Sequence, residues 1–330
     1  MTDSPPTLSV VIPMFNEEEV LPVLFPRLRA VLDGLGETWE IVCVNDGSRD
    51  GTAAGLARAR AEDPRIRFVN LARNFGKENA LTAGLDYAQG RAVVPLDADL
   101  QDPPELIAEF LRLWREGYDV VYAVRNARNN DSWLKRNSAA AFYAVINRLS
   151  DVRIPPNAGD YRLMDRRVVD ALKHLRETDR FMKGLFSWVG FRQTSVAYDR
   201  PARAAGKTKF NYLRLWTFAL DGITGYSSVP LKISGYFGLL FALAAMSYGV
   251  YLLVNTLIWG NDVPGYASTM VAVVFMGGVQ LIVLGILGEY LGRMYHEVKR
   301  RPLYIVDAAE GFEGTDAPET TSTSAAASRR

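Results

Sequence analysis

The chain has 330 residues, room for about two structural units at roughly 150 residues each. Its 38 Lys and Arg against 37 Asp and Glu leave a net charge of +1, which argues against a chain-wide nucleic-acid surface, and 48% hydrophobic residues exclude a disordered polyelectrolyte. A single cysteine, Cys43, rules out an intramolecular disulfide and a multi-thiolate metal site, and with only His174 and His296 a histidine-rich zinc centre is implausible.

In chain order, MTDSPPTL is polar and runs straight into a strand-like segment, so no signal peptide is expected. Short β-branched runs then recur at 8–15, 40–46, 65–72, 92–99 and 119–124. Cys43 sits inside the second, and reads as a buried strand residue. Amphipathic helical runs separate them, at about Glu17–Leu35, Gly51–Glu62, Lys77–Ala88 and Pro103–Glu116. Asn16 with Glu19, and Asp102 with Glu105, have capping-box spacing, and Pro103 is placed at a first helical position. Near-continuous apolar strands alternating with helices predict an α/β fold with a mainly parallel sheet covered on both faces. No GxGxxG follows the first strand, and no GxxxxGK[ST] occurs, which weakens both common phosphate-loop readings.

Sheets of this kind bind ligands at the carboxyl ends of their strands. Strand one ends Pro13-Met14-Phe15-Asn16-Glu17, strand two Asn45-Asp46-Gly47-Ser48, and strand four Asp97-Ala98-Asp99-Leu100-Gln101-Asp102. Three acidic ends are thereby expected on one crevice. In a strand, Asp97 and Asp99 point to the same face, and Gln101 keeps that parity. Two carboxylates and an amide oxygen suit Mg²⁺ or Mn²⁺, with open positions for substrate phosphates.

Two uncharged runs follow, at about 235–259 and 266–288, and between Ile233 and Gly288 the one charged residue is Asp262. Each reaches the roughly 20 apolar residues that cross a bilayer. Lys207, Lys209, Arg214 and Lys232 precede the pair and Arg293, Lys299, Arg300 and Arg301 follow it, so both ends are expected in the cytoplasm of an inner-membrane protein. Gly288 and Gly292 form a GxxxG that leaves a homo-oligomer open. Glu289 is expected to be water-facing or paired, and the tail from about Asp307 disordered.

The runs VVIPMFNEEE, VNDGSRDGT, NFGKENALTAGLDYAQG and LDADLQDPPELI resemble the signature segments of family 2 glycosyltransferases of the GT-A fold. WLKRNSAAAFY, NAGDYRLMDRR, RFMKGLFSWVGFRQ, GKTKF and the paired apolar runs extend that resemblance from Leu8 to Val306. They point to the branch that serves polyprenyl phosphates, which includes dolichol-phosphate mannose synthases and bacterial undecaprenyl-phosphate glucosyltransferases. The resemblance implies a Rossmann-like GT-A domain over 1–212, an interfacial segment over 213–232, a transmembrane hairpin over 233–292, and a cytosolic juxtamembrane segment and tail over 293–330.

It also implies roles. Pro13, Phe15, Glu17, Val44 and Asp46 hold base and ribose. Asp97 and Ala98 lie along ribose and diphosphate, Asp99 and Gln101 bind the metal, and Lys77, Arg203 and Lys209 face the donor. Arg125 and Arg136 receive the lipid phosphate, and Asp160 and Arg162 shape the acceptor side. The implied reaction is inverting transfer of a sugar from a nucleotide-sugar donor to undecaprenyl phosphate. UDP-glucose is the best match, while GDP-mannose, UDP-N-acetylglucosamine, UDP-galactose and an aminoarabinose donor stay open. The QxxRW run of a processive polysaccharide synthase is absent, and intact acidic and basic residues speak against a non-catalytic scaffold.

Overall fold

The computed structural model describes residues 5–126, 158–178, 180, 182–199, 229–259 and 265–312. It separates into two compact units, one built on a sheet and one on two long helices.

The first unit is an eight-stranded mixed sheet in the order β7-β5-β6-β4-β1-β2-β3-β8. Strands β1 (Leu8–Met14), β2 (Trp39–Asn45), β3 (Ile66–Leu71) and β4 (Ala92–Pro95) are parallel neighbours. β5 (Val120–Arg125) runs parallel with β7 (Gln193–Tyr198), and β6 (Ala158–Asp165) lies antiparallel between β5 and β4. Helices α1 (Leu21–Asp33), α2 (Thr52–Glu62), α3 (Lys77–Tyr87), α4 (Ile107–Arg115), α5 (Arg166–His174) and α6 (Met182–Trp188) cover the sheet.

Strand parity builds the two cores. Leu8, Val10, Ile12 and Met14 of β1, with Ile41 and Cys43 of β2, pack toward α1, α2 and α4. Val11, Val42, Val44 and Val69 pack toward α3, α5 and α6. Both layers are apolar because a sheet covered on two faces offers its side chains no water. Cys43 is fully buried, and burial pushes its thiol far above the ordinary range, which keeps it inert.

Three local expectations are corrected. The strand expected over 92–99 stops at Pro95, so Asp97 and Asp99 lie in the turn beyond it. Neither capping box forms: α1 starts after Val20 without a side-chain cap, and Asn16, at φ 56°, instead accepts from the Arg49 backbone N–H. Asp102 also caps nothing, and a 3₁₀ turn at Pro104–Leu106 precedes α4, with Pro103 as its N-cap residue.

A fourth correction concerns the tail. Val306–Glu310 forms β8, antiparallel to β3, and Phe312 is buried with its ring 4.8 Å from that of Tyr87. The chain therefore returns to the first unit after its apolar helices, and residues 306–312 are part of it.

The second unit is a hairpin of α7 (Val229–Trp259) and α8 (Tyr266–Val298). At 1.5 Å per residue, helices of 31 and 33 residues exceed the roughly 30 Å of a bilayer core. Their surfaces are apolar, with Leu239, Tyr251 and Leu281 all more than half exposed. Phe241 and Phe275 pack ring to ring between them at 5.6 Å. Glu289 pairs with Arg293 one turn on. Beyond the backbone of its own helix, no described atom lies within 4 Å of a Cβ placed at Gly288 or Gly292, so this GxxxG makes no close contact with α7. The interfacial segment expected at 213–232 falls outside the described residues except for its last four.

Candidate active site

A cavity of about 360 Å³ opens at the carboxyl ends of β1, β2 and β4. It brings together Pro13, Phe15, Glu17, Asp46, Lys77, Asp97, Ala98 and Asp99, eight residues singled out in the sequence, and adds Asn74 and Gly76 from the β3–α3 loop. They meet because every parallel strand delivers its following loop to the same edge of the sheet.

Asp46, directly after β2, is almost wholly buried. Its Oδ1 accepts from the Phe75 N–H at 2.7 Å and its Oδ2 from the Gly76 N–H at 2.9 Å. Burial raises its pKa, opposed by those two N–H groups and by Arg73. Its first task is thus to hold the 73–76 loop against the second strand. Gly47 makes the same junction possible. Its φ is +66°, and a Cβ there would sit 2.5 Å from the Arg73 carbonyl carbon.

The floor is acidic. Asp99 Oδ1 accepts from the Gln101 N–H at 3.1 Å, which sets the turn. Glu17 lies close enough to Asp99, Asp50 and Asp97 that burial and then their charges raise its pKa. Lys77, at the start of α3, answers part of this charge: its Nζ is 2.7 Å from Asp97 Oδ1 and 3.2 Å from Asp160 Oδ2. Burial alone would lower the ammonium's pKa, but the two carboxylates outweigh it and raise it.

Beside Lys77, Glu78 carries a carboxyl pushed up to about 7, by burial first and then by Asp160, against Lys77 and Lys183. One oxygen of Glu78 and one of Asp160 are buried with no hydrogen-bond partner among the described residues.

Arg125 ends β5 at the same edge. Its Nε donates to the Tyr198 hydroxyl at 3.2 Å, and Asp97 is near enough to help raise its pKa against the lowering effect of burial.

Two residues expected at the site have buried side chains. Val44 is fully buried in the core beneath α3, so its side chain does not line the cavity. Arg162 is also buried: Nη2 donates to the Gly159 carbonyl at 2.8 Å, the guanidinium stacks 3.9 Å over the Phe186 ring, and burial pushes its pKa down to about 10. A group so enclosed packs against the Phe186 ring within the first unit. Gln101 is buried too, and meets Asp99 through its backbone N–H. Arg136, Arg203 and Lys209 lie outside the described residues. The residues that motif reading missed are Asn74, Gly76 and Glu78 within NFGKENA, and Tyr198, which no local pattern marks.

The donor set suits a hard divalent cation in one respect. Asp99 faces the cavity with its charge unanswered by Lys77, which binds Asp97 instead. Among the described residues no three His, Cys, Asp or Glu side chains cluster closely enough to hold a metal by themselves. An ion at Asp99 would therefore draw its remaining ligands from substrate and water, as Mg²⁺ commonly does.

Comparison with known proteins bears on the whole chain. A model described as glycosyl transferase family 2 matches residues 9–173, and one described as the GtrB C-terminal hairpin matches residues 229–294. A glycosyltransferase of Synechocystis is 58% identical over 93% of this chain and 96% of its own. The SfII prophage-derived bactoprenol glucosyl transferase of Shigella flexneri is 47% identical over 91% of this chain and 97% of its own. Among solved structures, a mannosyltransferase of Pyrobaculum calidifontis in complex with GDP-Man and Mn²⁺ aligns at a TM-score of 0.42 and 16% identity, covering 89% of this chain and 86% of its own.

Proposed function

The chain belongs to glycosyl transferase family 2 and carries a GtrB-type hairpin, and from that premise we propose that it moves a sugar from a nucleotide-sugar donor to a polyprenyl phosphate held in the membrane. The donor is UDP-glucose and the acceptor undecaprenyl phosphate. The observation that carries this reading is the full-length match, hairpin included, to proteins named bactoprenol glucosyl transferase. The acid-lined cavity is consistent with it.

The acceptor's nucleophile is a phosphate oxygen, already anionic near neutral pH, so no strong general base is required. It attacks the anomeric carbon, the bond to the nucleotide diphosphate breaks, and configuration inverts. The protein's problem is to bring two anions together at one carbon. Lys77 meets it on the donor side, where its ammonium restrains Asp97 and limits the negative charge an incoming diphosphate faces. Arg125 meets it on the acceptor side, because a planar guanidinium can give two parallel hydrogen bonds to a phosphate. Fixed cations aimed at reacting oxygens stabilise the transition state without reorganisation.

Asp99, oriented by the Gln101 N–H, is the residue that would hold Mg²⁺ or Mn²⁺. Such an ion, when bound, offsets charge developing on the departing diphosphate. Pro13, Phe15 and Glu17 take the base and ribose. The basic residues that flank α7 and α8 set both ends of the hairpin in the cytoplasm, and the hairpin keeps the enzyme in the bilayer that holds the acceptor's tail.

The test supplies membranes bearing the protein with labelled UDP-glucose and undecaprenyl phosphate, beside a panel of other nucleotide sugars. Label in a lipid-phosphate product is the expected result, with Asp99→Ala reducing it by roughly a hundredfold or more. Label in polymer, or undiminished transfer in a folded Asp99→Ala or with chelator present, overturns the reading.

A further inference from the structure

The last residue of β5 and the last residue of β7 are register partners in the parallel ladder, Arg125 opposite Tyr198. The Asn126 N–H donates to the Tyr198 carbonyl at 3.0 Å and so continues that ladder beyond the strand. The side chains continue the pairing. The Tyr198 hydroxyl accepts from Arg125 Nε at 3.2 Å and donates to Asp102 Oδ1. Arg125 Nη2 stands 3.8 Å from the same carboxylate oxygen.

The three residues differ sharply in exposure. Tyr198 is 6% exposed and Asp102 3%, whereas the Arg125 side chain is 36% exposed. A buried carboxylate and phenol therefore grip the inner edge of a guanidinium whose outer part faces solvent. Gly159 on the neighbouring strand completes the seat, because a Cβ there would lie 3.3 Å from Arg125 Nη2. Burial first, and then the bond to Asp102, push the Tyr198 hydroxyl up to about 12, so it remains a donor across the working pH range.

Asp102 follows Asp97 and Asp99 in the same segment after β4. One chain of contacts thus runs from the acidic donor loop, through a phenol, to the arginine on the acceptor side. A free arginine loses much rotamer entropy on binding phosphate, and a preset one loses less.

We propose that Tyr198 and Asp102 are positioning residues that preset the Arg125 guanidinium for the anionic phosphate of the acceptor. The inference rests on the acceptor reading given above for Arg125.

The experiment measures KM for undecaprenyl phosphate and for the nucleotide-sugar donor separately, in the full chain. Tyr198→Phe removes one hydroxyl and keeps the ring. It is expected to raise the acceptor KM roughly tenfold, the loss of one buried hydrogen bond to a charged group, and to leave the donor KM unchanged. Asp102→Asn, which keeps shape and loses charge, is expected to move the same constant in the same direction.

Both variants are repeated on Arg125→Lys, which has no Nε–H for the phenol to hold. There Tyr198→Phe is expected to add less than about twofold, because residues acting through one group are not additive. Full additivity, or a donor KM that rises while the acceptor KM stays, overturns the positioning role. An Arg125→Lys enzyme with normal acceptor KM overturns the acceptor reading itself. A raised acceptor KM in Arg125→Lys alone, without one in Tyr198→Phe or Asp102→Asn, leaves that reading standing and removes only the inference.

Discussion

Lys77 and Asp97, twenty residues apart in the chain, face each other at the cavity with Nζ 2.7 Å from one carboxylate oxygen and 3.0 Å from the other. The lysine is the first residue of α3 and the aspartate follows β4, so the contact joins two loops that the sheet brings to one edge. The pair is partly exposed and contributes little to stability on its own. Its weight is electrostatic, since Glu17 and Asp99 crowd the same space.

Replacing Lys77 by Met removes the ammonium that pairs with Asp97 and Asp160 beside those acids. The expected outcome is a fall in kcat/KM for the donor of roughly tenfold to a hundredfold, the range of one or two lost charge-assisted bonds. Thermal stability in detergent changes by no more than a few degrees. Steady-state kinetics with donor varied checks the first statement and a melting curve the second. An unchanged donor kcat/KM rules out the electrostatic role.

Glu78 predicts a pH dependence. Its carboxyl titrates near 7 in the folded protein, against about 4.5 for a free glutamate. The folded state therefore holds a proton that the unfolded chain releases between those values. Stability from this group is full below pH 4.5 and is lost as pH rises through 7. Asp160 opposes its ionisation, while Lys77 and Lys183 favour it. Glu78→Gln cannot ionise, so it is expected to melt above the wild type at pH 8 and level with it at pH 4.5. Melting curves at the two pH values decide this, and an equal difference at both contradicts it.

Gly47 has a steric prediction. A side chain there meets the Arg73–Asn74 backbone at 2.5–2.6 Å, and backbone cannot rotate aside. Gly47→Ala is expected to cost roughly 2 kcal/mol or more, from the clash together with the left-handed φ. The loop that Asp46 holds would move with it, so donor binding falls as well. Chemical denaturation and donor titration both report on it. Wild-type stability in this variant is incompatible with the junction described.

Much of this architecture is written locally. The apolar runs of β1, β2 and β3 and the helices between them are visible because burial on both faces demands unbroken apolar strands. The residues on the first, second and fourth strand ends, from Pro13 to Asp99, stand at one cavity because parallel topology allows no other edge. Other features are not written locally. The spacing of Asp97 and Asp99 predicts a shared strand face, but β4 ends at Pro95 and a turn orients them. Val44 and Arg162 lie inside segments that resemble the family's functional runs, yet motif reading does not report exposure, and both are buried.

The order of apolar runs, the acidic turn and the two bilayer-length segments are properties of stretches of a few tens of residues, and short-range periodicity and charge suffice to read them. The union of Tyr198 with Asp102, 96 positions apart, and the return of β8 to β3 after the hairpin, are not. Each depends on which distant strands become neighbours and in what register. That choice is made by the packing of the whole sheet, since a side chain's partner is set by the space left to it once the backbone has closed around it.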